Sequence, residues 1–239
     1  STAGDPDWEG SWPLGDPAVA DGRVYVLAAP ATHLRVLPVL SVSLACMELA
    51  DGRLLWRRKL ASHNYTLPCS RESGFYERHF DLVHHGNAVT VADGAVYCST
   101  NMGFVARCDA RDGVVEWTRS YPRVQIGGNA LRLVRRRGGR PLVANDLAVF
   151  APRDYPGVFA LDRRTGEPRW DNAFAPSAYP VGLTADAALF GDDDHVAALD
   201  LASGRTRWYR RFEEGILGRP VVAGDAVYVG TASQLHRIA

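Results

Sequence analysis

Four segments of the chain share one spaced pattern: an acidic residue, glycine four positions on, and tryptophan four beyond that. They are CMELADGRLLW (Cys46–Trp56), RCDARDGVVEW (Arg107–Trp117), ALDRRTGEPRW (Ala160–Trp170) and ALDLASGRTRW (Ala198–Trp208). The acids are Glu48, Asp109, Asp162 and Asp200, and the glycines are Gly52, Gly113, Gly166 and Gly204. The tryptophans are Trp56, Trp117, Trp170 and Trp208. Self-similarity of this kind marks stacked supersecondary units that cannot bury their faces alone. The spacing assigns each residue a structural role. The acid accepts backbone N–H bonds inside a tight turn of type I or I′. The glycine takes a positive φ there. The tryptophan packs on the next unit, burying roughly 150–250 Å².

Upstream of these segments lies a second shared pattern, in PAVADGRVYVLA, NAVTVADGAVYCST, PLVANDLAVFAP, PVGLTADAALFGD and PVVAGDAVYVGT. Each reads as two short strands around a tight turn, with turn chemistry supplied by Asp-Gly, Asn-Asp or Gly-Asp. Adding the strand before the acid and the strand ending in tryptophan gives four antiparallel strands, which is a propeller blade. The expected fold is therefore all-β, a single propeller domain with blades near 17–60, 87–120, 141–174, 180–212 and 220–239.

Gly4 and Trp8 form a further glycine–tryptophan pair with no strands before it, whereas the last unit lacks both residues. Placing Ser1 after Ala239 restores the spacing, so residues 1–12 are expected to supply the fourth strand of the last blade. This gives five blades closed into a ring. A piece of a larger propeller, and a ring completed by a second chain, are the alternatives.

Composition narrows the function classes. Lys plus Arg and Asp plus Glu each total 27, so the formal net charge is zero and nothing electrostatic points to nucleic acid. No apolar run is long enough for a membrane-spanning helix, and no signal peptide is visible. Cys46, Cys69, Cys98 and Cys108 lack the spacing of a zinc or redox motif and read as thiols, with a Cys98–Cys108 disulfide open as an alternative.

The ALD-x-x-x-G-x-x-x-W units with strand pairs such as VVAGDAVYVGT resemble the PQQ-like propeller repeat. That family includes quinoprotein alcohol dehydrogenases and the periplasmic lipoprotein of the outer-membrane assembly machine. The resemblance implies an extracytoplasmic setting, and members with seven or eight blades, against which five is a departure. It does not carry over catalysis. No two cysteines are adjacent, no Glu/Asn/Asp calcium set matches, and there is no Cys-x-x-Cys-His haem site. No cofactor is expected, PQQ with calcium being the alternative.

Candidate interaction residues fall in connections. The histidines His84 and His85, near His63 and His79, offer imidazoles for a transition metal, although adjacent strand residues face opposite ways. In FGDDDHV, Asp192, Asp193 and Asp194 precede a histidine and offer oxygen ligands for Ca²⁺, or simply make a hydrated turn. Arg135, Arg136 and Arg137 lie in the basic run LRLVRRRGGRP, a phosphate or acidic-partner contact or a solvated loop. The NYT at Asn64–Thr66 matches a glycosylation acceptor, and RESGFYERHF (Arg71–Phe80) reads as a cap docked on the ring. The function expected is a non-enzymatic scaffold binding a protein or small ligand through loops 62–85 and 121–140. The alternatives are a degenerate quinoprotein dehydrogenase or another small-molecule enzyme, and a fragment of a larger sensor.

Overall fold

The computed structural model describes residues 11–30, 39–64, 87–123, 139–173 and 179–238, and these contain strands and turns but no helix. The chain divides into two compact units, Ser1–Ser120 and Tyr121–Ala239.

The first unit holds β1 (Ser11–Pro13), β2 (Gly15–Asp16), β3 (Ala18–Ala20), β4 (Arg23–Pro30), β5 (Val39–Glu48) and β6 (Leu54–Asn64). It continues with β7 (Asn87–Ala92), β8 (Ala95–Ser99), β9 (Phe104–Asp109) and β10 (Val115–Ser120). β1 and β3 both pair with β4, which leads through β5 to β6. The second sheet runs β10-β9-β8-β7 and gains β2 in parallel, with Gly15 opposite Asn87. A Cβ on Gly15 would collide with the Asn87 carbonyl oxygen, so this approach requires glycine.

The second unit holds β11 (Leu142–Ala144), β12 (Leu147–Phe150), β13 (Val158–Asp162), β14 (Pro168–Asn172), β15 (Tyr179–Leu183) and β16 (Ala187–Gly191). It ends with β17 (His195–Asp200), β18 (Thr206–Arg211), β19 (Val221–Ala223), β20 (Ala226–Gly230) and β21 (Leu235–Ile238). Two sheets are four-stranded antiparallel meanders, β11 to β14 and β15 to β18; the last, β19 to β21, has three strands among the described residues.

Burial explains the sequence of each strand type. β8 and β16 are buried at every position, so AVYCS and AALFG read as unbroken small or apolar runs. The outer strands β14 and β18 are mostly exposed, and their sequences PRWDN and TRWYRR are largely polar around the tryptophan. Facing sheets then form the cores: Val89, Val96, Cys98 and Leu44 in the first unit, Val149, Phe190 and Leu199 in the second.

Two local expectations change. The first sheet departs from the short strands expected, with β5 at 10 residues and β6 at 11. The β5–β6 ladder continues past a bulge, with Leu60 standing outside the register between Ala61 and Lys59. The repeat turn is also one residue wider than a type I or I′ turn. The glycine N–H bonds the acid's carbonyl at 2.9 Å in Gly52→Glu48 and Gly113→Asp109, and at 2.8 Å in Gly166→Asp162 and Gly204→Asp200. The extra residue is absorbed by a bulge in every described copy: Leu55, Glu116, Arg169 and Arg207 stand outside the register beside each tryptophan.

Candidate functional site

Antiparallel order gives every blade two ends. At one end lie the first hairpin turn and the acid–glycine turn; at the other lie the middle turn and the connection to the next sheet. The two turns of the first end are tied by backbone bonds, Leu49→Gly22, Ala110→Gly94, Arg163→Asp146 and Leu201→Asp186, at 2.8–2.9 Å. Asp21–Gly22 and Asp93–Gly94 have positive φ at both positions, the type I′ geometry that Asp-Gly favours.

The acids of this end are turn anchors. Asp109 Oδ1 accepts from Arg111 N at 2.7 Å, Asp162 Oδ1 from Arg164 N and Thr165 N at 2.9 and 3.0 Å, and Asp200 Oδ1 from Ser203 N at 2.8 Å. The bulged arginines reach back to the same carboxylates: Arg169 Nη2 lies 2.5 Å from Asp162 Oδ2 and Arg207 Nη2 lies 2.6 Å from Asp200 Oδ2. Arg207 also holds Asp186 Oδ2 at 2.5 Å. The Thr165 N–H and the Arg169 guanidinium hold the Asp162 carboxyl well below the usual range, and Arg207 with Ser203 brings Asp200 down to about 2. Glu48 differs: its side chain lies 3.5 Å from Arg53 while Asp51 Oδ1 takes the Arg53 N–H at 2.9 Å. Asp146, Arg169, Asp186, Asp200 and Arg207 line a groove of about 510 Å³ between the third and fourth sheets. Its ionised groups are largely spent on one another, so it is a framed seam more than a ligand cleft.

Tryptophan packing follows the expected direction in both copies where it is described. A Cβ on Gly113 would sit 2.6 Å from Trp56 Cζ3, and one on Gly204 would sit 2.5 Å from Trp170 Cδ2. Trp170 Nε1 donates to Leu201 O at 2.9 Å, and Asn172 Nδ2 to Gly204 O at 2.9 Å. The glycine thus serves two needs, a positive φ and room for the neighbouring indole. Sequence reasoning found the first and missed the second.

At the connection end, the turn Asp192–Asp194 gathers against the strands that follow. Asp192 Oδ1 accepts from Asp194 N at 3.0 Å and His195 N at 2.7 Å, and lies 3.1 Å from His195 Nδ1. Asp194 Oδ1 contacts the same ring nitrogen, while Arg211 Nε approaches Asp194 Oδ2 at 3.3 Å. The His195 ring stacks on Tyr209 at 4.5 Å between centroids and 28° between planes. Asp193 is outside this convergence; its carbonyl accepts from Ile216 N at 2.7 Å, and Phe212 N bonds Asp194 O at 2.8 Å. Of the three carboxylates expected to act together, the structure unites two and adds the histidine.

A second polar group at this end was not foreseen. In the connection after β12, Asp154 is buried and accepts Tyr121 OH at 2.6 Å and Arg123 Nε at 2.8 Å. Burial pushes its carboxyl above the usual range, against the pull of Tyr121 and Arg123. Tyr155 OH donates to Asp171 Oδ2 at 2.5 Å, and Tyr121, Tyr155 and Phe159 form an aromatic cluster with centroids 5.3–5.8 Å apart, Tyr155 meeting both neighbours edge-on. These residues come from the connections after β10 and β12 and from β13 and β14, so no local motif announces them.

Gly4, Trp8, His84, His85, Arg135, Arg136, Arg137 and Cys69 lie outside the described residues, as does the loop Arg71–Phe80. His63 and Asn64 end β6. Cys46, Cys98 and Cys108 are buried free thiols, so the Cys98–Cys108 disulfide is not formed. Cys98 opposes Ala106 and Cys108 opposes Val96, a diagonal pair sharing a hydrogen bond that, with burial, raises the Cys98 thiol well above its usual range. Among the described residues no helix is long and apolar enough to cross a membrane.

The family model described as "Outer membrane protein assembly factor BamB" matches residues 3–209 and 156–239. Among solved structures, BamB from Moraxella catarrhalis is similar at 18% identity and TM-score 0.57, over 95% of this chain and 59% of that one. Quinohemoprotein alcohol dehydrogenase from Comamonas testosteroni is similar at 15% identity and TM-score 0.60, over 95% of this chain and 40% of that one. Sqt1 from Saccharomyces cerevisiae is similar at 10% identity and TM-score 0.57, over 89% of this chain and 54% of that one. The chain therefore spans between two fifths and three fifths of the length of these structures. At such identities they speak for the fold alone. No curated protein matches the chain.

Proposed function

The chain belongs to the outer membrane protein assembly factor BamB family, and we propose on that premise that it is a non-enzymatic propeller scaffold holding a protein partner. The partner is drawn from outer-membrane protein assembly, which places the chain outside the cytoplasm. The family match carries this reading. The two-ended build of the blades supports it and selects the surface: the acid–glycine turns are closed upon themselves, whereas the connection end leaves Asp193 and Leu217 exposed on loops. Within the second unit the contacts are assigned to residues 121–140 and the turn at Asp192–Asp194; residues 62–85 of the first unit are the alternative.

Photo-crosslinking in cells tests this. A crosslinker at Asp193, Leu217 or Ser233 on the connection end should trap an envelope assembly protein, and one at Arg163 or Ala202 on the turn end should not. Equal trapping from both ends, or none from either, would overturn the assignment.

The fold of the quinohemoprotein alcohol dehydrogenase keeps one enzymatic reading in view. The proposal is that no PQQ is bound. Adding PQQ with Ca²⁺ should give neither a saturable absorbance change nor dye-linked alcohol oxidation; either result would replace the scaffold with an oxidoreductase.

A further inference from the structure

We propose that Asp192, Asp194 and His195 bind one divalent transition-metal ion, Zn²⁺ by preference, in the turn between β16 and β17. The turn is one that the partner reading also uses, but metal binding is read without the partner, so either reading can fail alone. One ligand atom from each residue lies within 4.8 Å of the other two. Two carboxylate oxygens converge on a single imidazole nitrogen: Asp192 Oδ1 at 3.1 Å from His195 Nδ1, and Asp194 Oδ1 in closer contact with the same atom. That nitrogen carries at most one hydrogen, so a lone N–H is shared between two anionic acceptors. A cation among the three atoms satisfies all of them.

The donors are also held in place from outside the cluster. Stacking on Tyr209 fixes the imidazole plane, and the backbone N–H groups of Asp194 and His195 fix the Asp192 carboxylate. Arg211 takes the far oxygen of Asp194, leaving Oδ1 for the ion. Such outer contacts orient ligands and limit the entropy lost on binding. The donor types choose the metal. One imidazole and two carboxylates with room for water suit Zn²⁺ or its neighbours. Ca²⁺ wants roughly six to eight oxygens, and Asp193, the third carboxylate of the turn, is outside the cluster. An ion here would pin the β16–β17 turn, and through the Phe212→Asp194 and Ile216→Asp193 bonds it would stiffen the connection to the last sheet.

Co²⁺ is a convenient probe because its visible absorption reports coordination. Titrated into the full chain, it should saturate at one equivalent and be displaced by Zn²⁺. His195→Gln and Asp194→Asn should each weaken binding by at least about tenfold, with circular dichroism showing the fold retained. A His84→Ala/His85→Ala variant should bind as the unaltered chain does. Absence of saturable Co²⁺ binding, unchanged binding by His195→Gln, or loss confined to the His84/His85 variant would each overturn the proposal. Should His195→Gln fail to fold, imidazole NMR of the unaltered chain decides: Zn²⁺ must shift the His195 resonances, and a shift restricted to other histidines rejects the site.

Discussion

Gly113 and Gly204 separate two reasons for glycine that a sequence shows as one letter. Both have φ near +70°, at 74° and 70°, and in both an added methyl would enter a tryptophan ring. Gly224 shares the positive φ, at 62°, with nothing within 4 Å of its added Cβ. Gly224→Ala should therefore cost about 1 kcal/mol, the backbone penalty alone. Gly204→Ala should cost a further 1–3 kcal/mol or so, because the indole of Trp170 must shift in a packed seam. Urea unfolding of the two variants measures the difference, and equal losses would show that the indole yields freely. Trp170→Ala belongs beside them: removing the ring and its bond to Leu201 should cost roughly 3 kcal/mol.

At the scale of the element, the acid–glycine turn is an ionic device as well as a bend. Asp200 is held down to about 2 in the fold, below the ordinary carboxylate value near about 3.9 of an unfolded chain. A depressed carboxyl stabilises the fold fully above the unfolded value, and that contribution is lost as pH falls toward the folded one. Unaltered protein should thus lose stability between about pH 5 and pH 2 more steeply than Asp200→Asn, which lacks the ionised pair with Arg207. Urea midpoints against pH check this: the two curves should separate above about pH 4 and converge in acid. Parallel curves would mean the pair is screened away. The turn was readable from spacing, because four copies repeat its backbone bond, and the acid's role held at Asp109, Asp162 and Asp200 but not at Glu48. The bulge at Arg207 was not, since a residue pushed out of register leaves no mark in a pattern counted along the chain.

For the molecule as a whole, the expectation that remains a proposal is closure into five blades. The sheet β19 to β21 has three strands among the described residues where its neighbours β11 to β14 and β15 to β18 have four. Gly4 and Trp8 carry the spacing of the missing strand but lie outside the described residues. If they complete that sheet, deleting residues 1–10 should lower the thermal midpoint by about 5 °C or more. An unchanged midpoint would favour a larger ring or a partner chain, and the solution mass would distinguish those two.

The sequence by itself determined the class of fold. Its evenly spaced acids, glycines and tryptophans, with Asp-Gly hairpins ahead of them, specify four-stranded units because turn chemistry and strand alternation are local. It also pointed to the connection loops as the place for function. Only the tertiary structure decided which groups meet. It set Trp56 over Gly113, left Cys98 and Cys108 as neighbouring thiols, and buried Asp154 beneath Tyr121 and Arg123. It also drew His195 to Asp192 and Asp194 while leaving Asp193 outside. Those encounters depend on the rotation of one sheet against the next and on side-chain direction within a turn, neither of which a one-dimensional spacing encodes.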